Sequence, residues 1–131
     1  MIREFLAVGC GGALGSMARH ALAQLALAGY ALWGFPAGTF AVNAAGSLLI
    51  GLLAGTLRSQ TAVWLLVVGF CGGFTTFSTF SADTVRLLRA GSYGAATAYV
   101  AASVAACLLC TALGMRIGQL FKTISNWYFW F

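Results

Sequence analysis

The feature that most constrains this fold is a glycine pair followed by hydroxyl and phenyl side chains, placed in the middle of an apolar segment. The run reads Gly-Phe-Cys-Gly-Gly-Phe-Thr-Thr-Phe-Ser-Thr-Phe-Ser at positions 69–81. Such a run is poorly suited to form a lipid-facing helix. Non-helical backbone at membrane depth is tolerated only where it is buried in protein or lines a water-filled cavity. The run therefore predicts a broken helix, which in membranes marks ion and substrate sites.

The composition of the whole chain indicates an integral membrane protein. Of its 131 residues 61% are hydrophobic and 7% are charged, against about 25% charged residues in soluble domains. The net charge is +5, from seven basic and two acidic residues. Most basic residues lie near the ends of apolar segments, which favours anchoring in the bilayer interface over nucleic-acid binding.

Four apolar segments are long enough to cross a bilayer, which takes about 20 helical residues. We therefore predict an all-α membrane protein with a single four-helix transmembrane domain, in which the third helix is broken near its middle, at 72–76. The tail at 121–131 is rich in aromatic residues, which suits the membrane interface. The predicted spans are 5–28, 37–57, 61–89 and 93–120.

The basic residues are distributed almost evenly between the two sides of the predicted bundle. One side carries four of them, the other three, and the bias of Lys and Arg in short loops sets orientation. So small a bias favours insertion in both orientations and antiparallel pairing of the chain with itself. A fixed topology set by one dominant loop stays open. The two groups are Arg3, Arg58, Arg116 and Lys122, and Arg19, Arg86 and Arg89.

Residues for acid–base or metal chemistry are scarce, so we predict that the protein is not an enzyme. The chain has one histidine, and its two acids, Glu4 and Asp83, are expected toward span ends. No acid–base pair or metal cluster emerges. Cys107 and Cys110 form a C-x-x-C without a second ligand pair, and buried cysteines usually act as small hydrophobes.

Polar residues form two stripes at a spacing of four, which places each stripe on one helix face. Such stripes can serve interhelical hydrogen bonding alone, but together with a broken helix they favour a lined pathway. The lining offers N–H and O–H donors and no negative charge, and phenyl edges are partly positive. A small, strongly hydrated anion therefore fits best. The stripes are Thr39, Asn43 and Ser47, and Tyr99, Ser103, Cys107 and Thr111.

Arg19 is the most deeply placed charge of the first span, roughly 20 Å along the helix from Arg3 at 1.5 Å per residue. Two interpretations stay open for its side chain. It can extend to the far interface, or it can lie in an aqueous vestibule and attract anions.

Three motifs in order resemble the Fluc/CrcB family of fluoride channels, over residues 5–117. The first two are Gly11-Gly12-x-x-Gly15-x-x-x-Arg19 and Gly38-Thr39-x-x-x-Asn43-x-x-Gly46-x-x-x-x-Gly51. The third, at 69–81, is the longest and most specific. Two positions depart from the family pattern: Asp83 stands where a glutamate is common, and Cys107 where a hydroxyl often lies.

The resemblance implies a fluoride-selective channel that exports fluoride passively and protects against its toxicity. The expected form is an antiparallel, dual-topology homodimer in the bacterial inner membrane, crossing it several times, with two pores. A structural sodium ion is expected on the dimer axis, held by the backbone carbonyls of Gly72 and Thr75. Arg19 is assigned to the vestibule. The pore-lining set is Asn43, Phe77, Ser78, Thr79, Phe80, Tyr99 and Ser103.

Two other functions compete with the channel. A small, dual-topology, proton-coupled drug exporter needs a carboxylate deep in the first span, where this chain has Arg19 and no acid beyond Glu4. A scaffold or assembly protein without transport would leave the two polar stripes beside a broken helix unexplained.

Overall fold

A computed structural model describes residues 1–27 and 35–127, and the regular structure in this part of the chain is helical. The end of the first predicted span at position 28, most of the following loop, and the tail from 128 onward lie outside the described residues. Helix α3 is formed by three consecutive segments, Gln60–Ala62, Val63–Cys71 and Gly72–Phe74, of which the second has wide π-type turns. The others are α1 (Ile2–Leu27), α2 (Ala37–Thr56), α4 (Phe77–Arg89) and α5 (Tyr93–Trp127).

Three helical stretches in the described part of the chain are long and apolar enough to cross a bilayer. They are Ala37–Thr56, Gln60–Arg89, which joins α3 and α4 through the bend, and Tyr93–Thr123. The protein is therefore a multi-pass membrane protein. Helix α1 has 26 residues, about 39 Å at 1.5 Å per residue, but it is not among the three. Its role as a fourth span stays a prediction.

Glycines allow the helices to pack backbone against backbone. Helix α2 packs along α5, and α1 packs along α3. A Cβ atom added to Gly51 of α2 would overlap the Thr111 carbonyl oxygen of α5, and one added to Gly73 would overlap the Gly12 carbonyl oxygen of α1. Small residues at such contacts are typical of membrane helices. The bundle is thus built from two close pairs.

The bend in the third helix transfers the chain from one pair to the other. Helix α3 lies mainly against α1, whereas α4 lies against α5 and α2. Gly72 still has helical backbone angles, φ −64° and ψ −37°. Thr75 (φ −81°, ψ 158°) and Thr76 (φ −149°, ψ 107°) are extended. Gly73, the second glycine of the pair, therefore permits the contact with α1, and the two threonines after the pair carry the break.

Local capping explains where α4 begins and ends. Thr76 is the N-cap residue, and its Oγ1 accepts a hydrogen bond from the Thr79 amide at 3.2 Å, as threonine commonly does at this position. Arg86 and Arg89 lie in the last turn, where cations complement the helix dipole. Gly91, with φ at +72°, then turns the chain into α5.

Candidate functional site

Two clefts open on either side of the helix break, and Thr76 lines both of them. The mouth cleft has a volume of about 370 Å³ and includes Arg19, Thr39, Thr79, Asp83 and Arg86 among its lining residues. The inner cleft has a volume of about 380 Å³. Its lining is Asn43, Ser47, Ile50, Thr75, Thr76, Phe77, Phe80, Ser103, Val104, Cys107 and Leu108.

Asn43 of α2 stabilises the break by bonding both backbone groups of Thr76. Its Nδ2 donates to the Thr76 carbonyl oxygen at 3.1 Å, and its Oδ1 accepts from the Thr76 amide at 2.8 Å. Backbone polar groups in a membrane interior need such partners. Because a side-chain amide nitrogen carries two hydrogens, one N–H of Asn43 remains for a ligand in the inner cleft.

The break also removes the regular hydrogen-bond partners of the Gly72 and Thr75 carbonyls. In a continuous helix the amides of Thr76 and Thr79 would bond these oxygens. Here the Thr76 amide bonds Asn43, and the Thr79 amide bonds the Thr76 hydroxyl. The Thr75 hydroxyl donates back to the Cys71 carbonyl at 3.0 Å. The two carbonyls that the resemblance assigns to sodium are therefore among those that the break releases from the helix.

Arg19 connects α1 to the same break. Its Nε donates to the Gly73 carbonyl oxygen at 3.2 Å, and the Ser16 hydroxyl donates to that oxygen at 3.4 Å. The guanidinium also lines the mouth cleft. The bond to the Gly73 carbonyl is a structural contact that the sequence did not indicate.

Asp83 lies toward the C-terminal end of the Gln60–Arg89 stretch, as the sequence predicted, and only 6% of its surface is exposed. Its Oδ1 accepts from Arg86 Nη1 at 2.8 Å, and its Oδ2 accepts from Thr39 Oγ1 at 2.7 Å. A buried charge needs such partners. The mouth cleft holds two guanidinium groups, from Arg19 and Arg86, against this one carboxylate.

A chain of aromatic rings runs between the two clefts. Ring centroids are 5.5 Å apart for Phe77 and Phe80, 5.2 Å for Phe80 and Tyr99, and 5.3 Å for Tyr99 and Phe35. Phe35 lines the mouth cleft, whereas Phe77 and Phe80 line the inner cleft. Sequence analysis identified three of these four residues. Phe35, beside the only proline, gave no helical spacing by which to find it.

The hydroxyls of Tyr99 and Ser103 on α5 are buried and have no hydrogen-bond partner within the part of the chain that the structure describes. Tyr99 is fully buried, and Ser103 is 5% exposed and lines the inner cleft. Buried polar groups are normally paired. Of the two, only Ser103 lines a cleft, so its hydroxyl remains available to a ligand there.

The structure brings most of the predicted pore-lining residues to the two clefts. Thr79 lines the mouth cleft, and Asn43, Phe77, Phe80 and Ser103 line the inner cleft. Tyr99 contacts the Phe80 ring, and Ser78 lies 3.2 Å from the Thr76 hydroxyl. Sequence analysis did not single out Thr76, which both clefts share. Its N-cap position, three residues before Thr79, is the signal that could have found it.

Comparison with known proteins identifies the family. Residues 6–115 match the family model described as CrcB-like protein, Camphor Resistance (CrcB). The chain belongs to this CrcB family. The match covers both clefts and the break between them.

Three curated relatives of the chain share the name "Fluoride-specific ion channel FluC". The relative from Geobacter sulfurreducens is 50% identical over 121 residues, which cover 87% of this chain and 95% of the relative. The relative from Chlorobaculum tepidum is 45% identical over 127 residues, covering 93% and 99%. The relative from Bordetella avium is 44% identical over 122 residues, covering 89% and 94%.

Proposed function

We propose that this CrcB protein is a fluoride-selective channel that exports fluoride passively across the bacterial inner membrane. The observation that carries the proposal is the lining of the inner cleft, where N–H and O–H groups and phenyl rings converge and no carboxylate is present among the lining residues. Proteins up to 50% identical are named fluoride-specific ion channels. Fluoride is small and strongly hydrated, so close, directed donors are what its passage requires.

The pathway follows the order of the two clefts. Arg19 and Arg86 raise the local concentration of anions at the mouth, while Asp83 is held by Arg86 and Thr39. The remaining Asn43 N–H and the Ser103 hydroxyl replace water around the ion in the inner cleft, and the edges of Phe77 and Phe80 add weaker positive contacts. No single contact is strong, which lets the ion leave again.

The functional unit in this proposal is an antiparallel homodimer with four spans per subunit. Phe77 lines the inner cleft but is 79% exposed in the single chain, so a second copy is needed to close the pathway there. The near-even distribution of basic residues supports mixed orientation. Accessibility of a C-terminal tag from each side of the membrane tests this. Both populations are expected, and a single orientation in a functional preparation would contradict it.

The Gly72 and Thr75 carbonyls fit a structural sodium ion, because they are hard oxygen donors released from their helix by the break. A bound sodium ion would be held by these carbonyls of both subunits, and its positive charge would link the two helix breaks. We expect exchange of sodium for N-methylglucamine to lower the thermal stability of the purified dimer. An unchanged melting temperature, with the dimer intact, would count against the sodium site.

The proton-coupled exporter finds no support in the structure. In the described part of α1 the acidic residue is Glu4 in the first turn, and the deep position is held by Arg19 bonded to Gly73.

Export can be tested in a bacterial strain that lacks its own fluoride exporter. Expression of the chain should restore growth on fluoride. An Asn43→Asp variant present in the membrane at the same level is the matched control and should not. Growth that is equally sensitive with and without the wild-type chain would contradict the proposed function.

A further inference from the structure

The inner cleft contains a thiol that the proposed function does not use. Cys107 of α5 is partly exposed and lines the cleft beside Asn43, Phe80 and Ser103. The other cysteines differ in position. Cys71 is buried, and neither Cys10 nor Cys110 is among the residues that line the two clefts.

A second donor lies one helical turn from this thiol. Ser103 precedes Cys107 by four residues, which places both side chains on one face of α5. Its hydroxyl is more than nine-tenths buried, has no hydrogen-bond partner within residues 1–27 and 35–127, and lines the same cleft. An unpaired buried hydroxyl facing a cavity indicates room for a ligand there.

We propose that Cys107 and Ser103 form a binding site for soft, thiol-binding metal cations within the fluoride pathway, and that an occupied site blocks the channel. The inference rests on the proposed function. Cysteine sulfur selects soft metals, whereas fluoride is a hard anion. On binding, the Cys107 proton leaves to buffer, a sulfur–metal bond forms, and a metal–water bond breaks, without any change of oxidation state. The bound cation places positive charge beside the path and retains an arriving anion.

Fluoride efflux from liposomes tests the site, with Hg²⁺ as the probe in chloride-free gluconate buffer. We expect Hg²⁺ to slow wild-type efflux by at least about tenfold, because a cation in a low-dielectric cleft attracts the permeating anion strongly. Excess 2-mercaptoethanol should restore the rate. The measured quantity is the ratio of treated to untreated rates within each variant.

Cysteine variants locate the site. Cys107→Ser should lose the sensitivity, Cys10→Ser and Cys110→Ser should keep it, and Ser103→Ala should need more Hg²⁺ for half block. A block that persists in Cys107→Ser, or that disappears in Cys110→Ser instead, overturns the proposal. An unchanged ratio in wild-type protein with normal fluoride flux overturns it as well, and leaves the channel function standing.

Mass spectrometry can test metal binding at Cys107 without a fluoride flux assay. In a variant carrying Cys10→Ser, Cys71→Ser and Cys110→Ser, mass spectrometry of the purified protein should show one added mercury per chain. The further change Cys107→Ser should abolish the addition. If untreated liposomes release no fluoride, the proposed function fails, while this measurement still decides whether Cys107 binds the metal. Absence of mercury on the Cys107-only protein overturns the site.

Discussion

The two clefts of this CrcB protein differ in how they treat charge. The mouth cleft contains Arg19, Arg86 and Asp83, and its carboxylate is fully engaged by Arg86 and Thr39. The lining of the inner cleft contains amide, hydroxyl, thiol and phenyl groups, with no acid or base among them. Full charges can attract an ion from a distance, whereas neutral donors can replace its water without trapping it. In the proposed channel, attraction and selection are therefore separated along the path.

Substitution of Asn43 is expected to have the largest effect on this difference between the two clefts. Asn43→Asp would place a negative charge in the inner cleft and would also lose the donor to the Thr76 carbonyl. At about 4 Å and an effective dielectric of 20 the repulsion of an anion is on the order of 4 kcal/mol. Fluoride flux should fall by roughly a thousandfold, since each 1.4 kcal/mol is about tenfold. Efflux near the wild-type rate, with an intact dimer on gel filtration, would place the pathway elsewhere.

The phenyl rings of the inner cleft provide the next test. Phe77→Ile and Phe80→Ile keep apolar bulk but remove the ring quadrupole, and aromatic contacts are worth about 0.5–1.5 kcal/mol each. We expect fluoride efflux to fall by about tenfold in each variant while the dimer persists. Leu108→Ile, which alters an apolar residue of the same cleft, is the matched control. Equal rates in all three variants would show that the rings serve only as walls.

Arg86 provides a test of the mouth cleft. Arg86→Gln removes the partner of Asp83 Oδ1 and one positive charge from the cleft. Because the Arg86 side chain is 76% exposed, solvent and salt screen it. We expect a loss of a few-fold that is largest at low ionic strength and fades in high salt. Arg89→Gln, outside the lining of the mouth cleft, should change the rate less. A loss independent of salt would contradict attraction as the role of Arg86.

The smallest effect is expected at the boundary between the clefts. Thr75→Ala removes a hydroxyl that bonds the Cys71 carbonyl and leaves the Thr75 carbonyl in place. Flux and its dependence on sodium should therefore stay close to those of the wild type. A loss of sodium dependence in this variant would mean that the side chain, not the backbone, is the ligand.

The sequence predicted the break but not what supports it. The run at 69–81 located the interruption, and the spacing of Asn43 on α2 identified it as a site residue. Its partner, the Thr76 backbone, lies 33 positions away, and Gly73 lies 54 positions from Arg19. Such contacts depend on how α1 and α2 pack against the third helix, which helical periodicity does not specify.

Asp83 illustrates the same limit for charge. Local pattern placed it toward a span end, which agrees with its position in the Gln60–Arg89 stretch, but did not show what surrounds it. The structure also buries it, with Thr39 on α2 supplying a hydroxyl from 44 positions away and Arg86 lying one turn along α4. Thr39 was recognised as part of a polar stripe, but a stripe does not reveal which helix it will face. The contact between Phe35 and Tyr99 could not be predicted from the sequence for the same reason.

Paired efflux of fluoride and chloride from liposomes containing the purified protein tests the central claim most directly. Each ion is followed with its own electrode, in vesicles of the same preparation, with potassium and valinomycin to balance charge. Fluoride should leave the vesicles rapidly and chloride should stay inside, because the inner cleft offers small, directed donors and no fixed charge. Release of both anions at similar rates, or retention of fluoride by protein that remains folded and dimeric, would contradict the account.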